Sequence, residues 1–194
     1  MHKFSYAIGG VLPHHLPRQL KELYWAALMQ NLALAMLLLF EPIYLWQQGY
    51  GIRDILLFFL VVYGVYLVIM PLGANLATRH GFEYSIALST GVQVMYYACL
   101  FMVAQSPWFL LPAALLYALQ KALYWPAYHA DFAYYADKVE EGREVSALQV
   151  ALLGMYVVGP LLAGWILTVG SWLWLFSVGS VILLLSNWPL LKTP

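Results

Sequence analysis

The stretch from Ser106 to Lys138 places an ammonium in the middle of an apolar run. If hydrocarbon begins near Phe109 and is about 30 Å thick, about 20 helical residues cross it, and Lys121 falls within one turn of the bilayer centre. A cation there costs about 3 kcal/mol on insertion scales, and such residues usually face a bundle interior or a wet cavity. At helical spacing Tyr117, Lys121, Trp125, Tyr128 and Tyr135 fall on one side of the helix, so the lysine lies in an aromatic stripe. The combination reads as the wall of a polar pocket, with Lys121, Trp125, Tyr117 and Tyr128 as candidate substrate contacts. A snorkelling lysine at a helix interface is the competing reading. Midplane depth disfavours it, because the stem reaches only part-way to water.

Glu41 is the second charge inside an apolar run, nearer the outer third of its span. A desolvated carboxylate holds its proton more tightly and can serve proton coupling; at an outer mouth it would stay solvated. Gln30, Leu34, Leu37 and Glu41 share a face. On straight helices Glu41 and Lys121 differ in depth by about 12 Å, so no direct ion pair is expected. Gln30, Asn31 and Gln93 offer neutral hydrogen bonds to a substrate or act as interhelical glue. His129 and Asp131, two apart on a helix, point to different sides, and no metal site is expected. Tyr63, Tyr66, Tyr96 and Tyr97 read as packing and cavity walls.

The elements that hold these residues follow from composition. Of 194 residues 63% are hydrophobic and only 9% are charged, too few to keep a soluble surface wet. An all-α integral membrane protein is expected, in which lipid is the first partner. The zero net charge argues against nucleic acid. The single Cys99 excludes an internal disulfide. A Gly/Pro/His-rich leader, 1–19, lacks a cleavable signal pattern. A transmembrane bundle, 20–192, then contains six spans: about 21–47, 55–77, 84–104, 107–137, 145–169 and 172–191. The fourth should kink at Pro126 and project beyond the lipid. Lys138–Glu144 reads as a solvent loop, and Trp172, Trp174 and Trp188 bracket the sixth span as interfacial anchors. Six spans place both termini on one side. Lys3, Arg18, Lys21, Arg79, Lys138, Arg143 and Lys192 share it, against Arg53 alone on the other, so the termini are expected in the cytoplasm of a plasma or inner membrane.

With the spans placed, the turn after the second becomes informative. Ala74-Asn-Leu-Ala77-Thr78-Arg79-His80-Gly81 resembles the cytoplasmic signature between the second and third helices of major facilitator superfamily transporters. Arg79 and Gly81 match, while Ala74, Thr78, Phe82 and Glu83 replace the glycine, the acid and two basic positions. In that family the acid helps latch two halves together, so Ala74, Thr78, Arg79 and Gly81 form the candidate gating motif. Gly154 and Gly159-Pro160-Leu-Leu-Ala-Gly164 are similar to the family's antiporter glycine/proline motif and are expected to allow close helix approach and bending. Pro42 with Tyr44-Leu45, and Ala136-Asp137 with Arg143, are further echoes.

The resemblance implies a six-helix half of a twelve-helix fold whose first and fourth helices line a central cavity. The halves of such a fold are parallel repeats about an axis along the membrane normal, so a second copy can meet the first without flipping. The function implied is secondary transport of a small solute by alternating access, as a homodimer or with a different half. Two facing Lys121 ammoniums would favour an anionic substrate, with Glu41 exchanging protons. The alternatives are an excised half that needs its partner and a non-transporting membrane scaffold or binding protein. No HExxH, GxSxG or Walker motif points to an enzyme or an ATP-driven pump, and no cofactor is expected.

Overall fold

Proline sets the first departure from straight helices. The computed structural model describes residues 18–135 and 141–188. Its first helix, α1, comes in two pieces, Arg18–Leu38 and Phe40–Gln47, with a turn at Leu39. Pro42 has no N–H to give the carbonyl of Leu38, and the ladder opens there. Five more helices follow: α2 (Ile52–His80), α3 (Phe82–Met102), α4 (Leu110–Tyr135, after a 3₁₀ turn at Pro107–Phe109), α5 (Glu141–Val169) and α6 (Trp172–Ser186). Among the described residues these six helices make an all-α structure without strands. Residues 1–17, Asp137, Lys138 and Lys192, together with the expected last turn of the sixth span, lie outside the described residues. So do the side chains of Arg18, Tyr135 and Arg143.

Local chemistry explains the helix ends. At the start of α2 the Gly51 N–H donates to the Asp54 carboxylate at 3.1 Å, a partner for an amide that the ladder leaves over. At its other end Gly81 takes φ +100°, which only glycine adopts without strain, and one residue reverses the chain into α3. The fifth helix begins at Glu141, inside the run expected to be a solvent loop. That run has no proline, and acidic residues at a helix N-terminus complement its dipole. The sixth helix stops at Ser186, because Trp188 precedes Pro189 and a residue before proline avoids the α region. In contrast to α1, α4 runs on as helix through Pro126, and α2 and α5 do so through Pro71 and Pro160.

Four helices, α1, α6, α3 and α4, close a ring around the buried core in that order, with α2 standing outside against α4 and α5 outside against α1. The pairing repeats after three helices: α2 and α3 lie on α4 as α5 and α6 lie on α1, and α3 meets α6. Two glycines make the outer contacts at matching places. A Cβ on Gly73 of α2 would fall inside the Ala122 carbonyl of α4, and one on Gly159 of α5 would lie 2.7 Å from Ala35 Cβ and 2.9 Å from Met36 N of α1. Such contacts let helix backbones approach closely, as small residues do in membrane bundles.

Side chains tie the ends together. At the end opposite the start of α1, Trp172 Nε1 donates to Gln47 Oε1 at 2.9 Å and the Tyr44 hydroxyl donates to the Phe101 carbonyl at 2.8 Å. In the other half, the Ser85 hydroxyl donates to the Leu123 carbonyl at 2.9 Å. Four helices are long and apolar enough to cross a membrane: Tyr24–Gln47, Ile52–His80, Phe82–Met102 and Val145–Val169. The fourth helix, at 26 residues, is also long enough but interrupts its apolar run with Gln120, Lys121, His129 and Asp131. Trp172–Ser186 is shorter and apolar. The outward faces of α2 (Leu60, Leu67, Val68) and α5 (Val157, Leu161, Trp165) are exposed and apolar, as a membrane environment requires. The chain is a multi-pass membrane protein.

Candidate functional site

The break at Leu39 leads directly into one of two deeply buried carboxylates among the described residues. Glu41, in the first turn of the second piece of α1, is 2% exposed. Around it stand Tyr96 and Tyr97 of α3, Tyr117 and Lys121 of α4 and Tyr63 of α2, each near enough for its charge or dipole to act on the carboxylate. The Tyr96 hydroxyl is beside Glu41, yet neither Tyr96 Oη nor Glu41 Oε2 has a well-formed hydrogen bond among the described residues.

Lys121 completes the arrangement. Its Nζ sits 4.2 Å from the centroid of Tyr117 and 5.3 Å from that of Tyr63, both within cation–π range. Tyr117 in turn stacks on Tyr96, ring centroids 4.4 Å apart and planes within 11°. Rings and charges thus run from Lys121 through Tyr117 and Tyr96 to Glu41. Lys121 is only partly buried, and half-exposed Tyr63 and Tyr156 stand on the flanking helices α2 and α5. Those two helices are not packed closely along their lengths, and the partial exposure of Lys121, Tyr63 and Tyr156 marks the flank between them as the accessible side of the site.

As expected from their different depths, Glu41 and Lys121 form no direct ion pair, although each still acts on the other's charge at longer range.

Other candidates divide. Asn31 is buried and occupied: its Nδ2 donates to the Ala27 carbonyl at 2.8 Å, and its Oδ1 accepts from the Tyr156 hydroxyl at 3.2 Å. Gln30 is fully buried, with neither end of its amide partnered among the described residues. Trp125 and Tyr128 pack with Tyr124 and His129 rather than around the lysine. His129 is exposed while Asp131 is buried, so the two do face different ways. In the turn motif Arg79 is exposed, Ala74 is partly buried, and the Thr78 hydroxyl donates back to the Asn75 carbonyl at 3.0 Å. Of the α5 motif, Gly159 is the contact residue. A Cβ on Gly154 would meet nothing within 4 Å, one on Gly164 would only reach Phe40 Cζ at 4.0 Å, and Pro160 is half-buried.

Sequence reasoning took Tyr63 and Tyr96 for walls and missed them as partners of the two charges. Ser89, Gln93 and Tyr96 recur at helical spacing in an otherwise apolar helix, which is the signal that marks this face of α3 as polar. A groove of about 500 Å³ between α5 and α6, lined by Trp165, Trp174 and aliphatic side chains, is apolar and offers a solute no polar anchor.

A buried carboxylate and a half-buried ammonium, joined by stacked tyrosines and open on one flank, can bind a polar solute and exchange a proton inside a membrane. Among curated proteins no match is found. The sequence pattern described as Major Facilitator Superfamily matches residues 23–193, nearly the whole chain, and the members of that family are membrane transporters rather than enzymes. With six helices in the arrangement of half such a fold, the chain belongs to the Major Facilitator Superfamily.

Proposed function

We propose that the chain is a six-helix transporter unit that carries a small anionic solute, with a proton, by alternating access. One observation carries this reading: the Lys121 ammonium lies on the rings of Tyr117 and Tyr63, within reach of the Glu41 charge, on the flank left open between α2 and α5. When Glu41 is ionised its charge offsets Lys121, and an anion gains little. When Glu41 holds a proton, Lys121 is an uncompensated cation in a poorly solvated place, and an anion becomes its best partner. Proton and anion then favour each other's binding, reciprocally and by the same factor.

The open flank is half a path, and the unit needs a second six-helix unit to close it. A second copy, related by a two-fold axis along the membrane normal, supplies the missing wall; a different half would serve equally in geometry. The excess of basic residues on the side of Arg79 supports the reading that both termini lie in the cytoplasm of a plasma or inner membrane.

The test is uptake into proteoliposomes, screened over carboxylates, phosphates, sugars and amines with an acid exterior. One anionic class should accumulate, and Lys121→Gln should lower its uptake at least tenfold. Carriage of a cationic solute, or an anion carried equally well by Lys121→Gln, overturns the reading. Binding of an anion without counterflow marks a membrane binding protein instead.

A further inference from the structure

Besides Glu41 and Tyr96, the helices of the ring bury three glutamines that the solute site does not use. Gln30 of α1 and Gln93 of α3 are 0% exposed, and Gln120 of α4 is 2% exposed. Both amide ends of Gln30, and Nε2 of Gln120, lack a hydrogen-bond partner among the described residues, while Gln93 lies beside the Tyr97 hydroxyl without a well-formed bond to it.

These positions face inward by helix geometry. Gln30 is on the face of the first piece of α1 that carries Leu37. Leu37 points into the ring, since a Cβ on Gly179 of α6 would lie 2.8 Å from Leu37 Cδ1 and 3.7 Å from Tyr97 Cε2. Gln93 lies one turn before Tyr96 and Tyr97, on the same face of α3. Where α6 ends against α3, Asn187 is 6% exposed; its Nδ2 reaches the Ala87 carbonyl at 3.5 Å and its Oδ1 lacks a partner. On α1 Gln30 lies in the first piece and Glu41 eleven residues on, in the second, so the two stand at different levels of the ring. The unpartnered groups are therefore spread along the ring axis, from Asn187 at the end where α1 starts to Tyr96 and Glu41.

A buried amide without a partner costs about 1–3 kcal/mol, and several in one ring are tolerated only if something bonds to them. Water is the ligand that fits, because it both donates and accepts, whereas a cation would leave every amide N–H unanswered. From this geometry we infer that the ring encloses a file of water molecules leading from Asn187 past Gln30, Gln93 and Gln120 to Glu41, and that this file, separate from the solute flank between α2 and α5, carries protons to the carboxylate. A proton entering at the Asn187 end is relayed along the water and ends on Glu41, which becomes neutral; release reverses the path, and no other group changes charge. The groups facing Glu41, namely Lys121, Tyr117, Tyr96, Tyr97 and Tyr63, lie at the upper end of this file and on the solute side.

The inference rests on the reading of Glu41 as the proton carrier, and the test separates the two. The full chain in lipid bilayers is followed by infrared spectroscopy, with Glu41→Gln used to assign the protonated-carboxyl band. After a change to D₂O the band shifts as the proton exchanges. Wild type should exchange quickly, Gln30→Leu/Gln93→Leu at least tenfold more slowly, and Leu67→Ala, on the exposed outer face of α2, like wild type. Gln93→Asn, which keeps an amide, should stay closer to wild type than Gln93→Leu. If the leucine pair exchanges as fast as wild type, the file is overturned while the Glu41 reading stands. If no carboxyl band is lost in Glu41→Gln at any pH, the Glu41 reading itself fails. Thermal unfolding gives a second measure. In a dry ring the leucines remove unsatisfied amides and raise the midpoint, which overturns the file; in a wet one they leave it level or lower.

Discussion

At the scale of single residues, the two charges of the site are coupled, and each makes the other tolerable. Removing one leaves the other in a poorly solvated place with less opposite charge within its reach, which is costly. Glu41→Gln and Lys121→Gln should therefore each lower the thermal midpoint in lipid or mild detergent, and the double variant should recover part of the loss. A coupling of about 1 kcal/mol or more is expected for neighbours in one network. Additive effects would mean that the two side chains do not sense each other. Much of this pair was legible in the sequence, because an ion inside an apolar run announces itself. Its partners were not. Tyr63, Tyr96 and Tyr117 are ordinary aromatics of a membrane helix until packing puts one beside a carboxylate and two against an ammonium.

At the scale of elements, two glycine contacts hold the outer helices on the ring. Gly73→Ala would drive a methyl into the Ala122 carbonyl, and Gly159→Ala would set one against Ala35 and the backbone of Met36. Neither obstacle is the far end of a flexible side chain, so a helix must move. Gly64 and Gly154 lie in the same two helices, and a Cβ there meets nothing within 4 Å. Alanine at Gly64 or Gly154 should be neutral or stabilising by about 1 kcal/mol, from helix propensity alone. At Gly73 or Gly159 it should destabilise by about 1–3 kcal/mol, the range for overpacking. Midpoints of the four variants decide this. The break in α1 belongs to the same scale. Pro42, Pro71, Pro126 and Pro160 all lie inside apolar runs, yet only the first is accompanied by a turn in its helix. Composition does not separate the four.

At the scale of the whole molecule, the exposed apolar faces of α2 and α5 are the surfaces that lipid or a second unit must cover. Under the proposed two-fold arrangement the open flank of one copy faces that of the other, bringing α2 of one near α5 of its partner. Cysteines at Leu67 and Leu161, each 70% exposed, test this in a Cys99→Ala background. Oxidation in native membranes should produce a disulfide-linked dimer from the double variant and none from Cys99→Ala. A chain that stays monomeric while its uptake activity is intact would exclude the homodimer.

By itself the sequence determined the solvent, the class and the broad layout of this protein. Its low charge, long apolar runs and short polar turn at Arg79–Gly81 leave little but a bundle of membrane helices, and the turn motif with Arg79 and Gly81 pointed to the right family. The tertiary structure alone decided which helices form the ring, which two stand outside, and which buried side chains share its interior. The physical reason lies in the range of the information. Helix formation and membrane burial depend on composition within a span, so they can be read locally. Approach of α1 to α5, or of α2 to α4, depends on where two helices find small residues in register. Those choices are made between segments far apart in sequence.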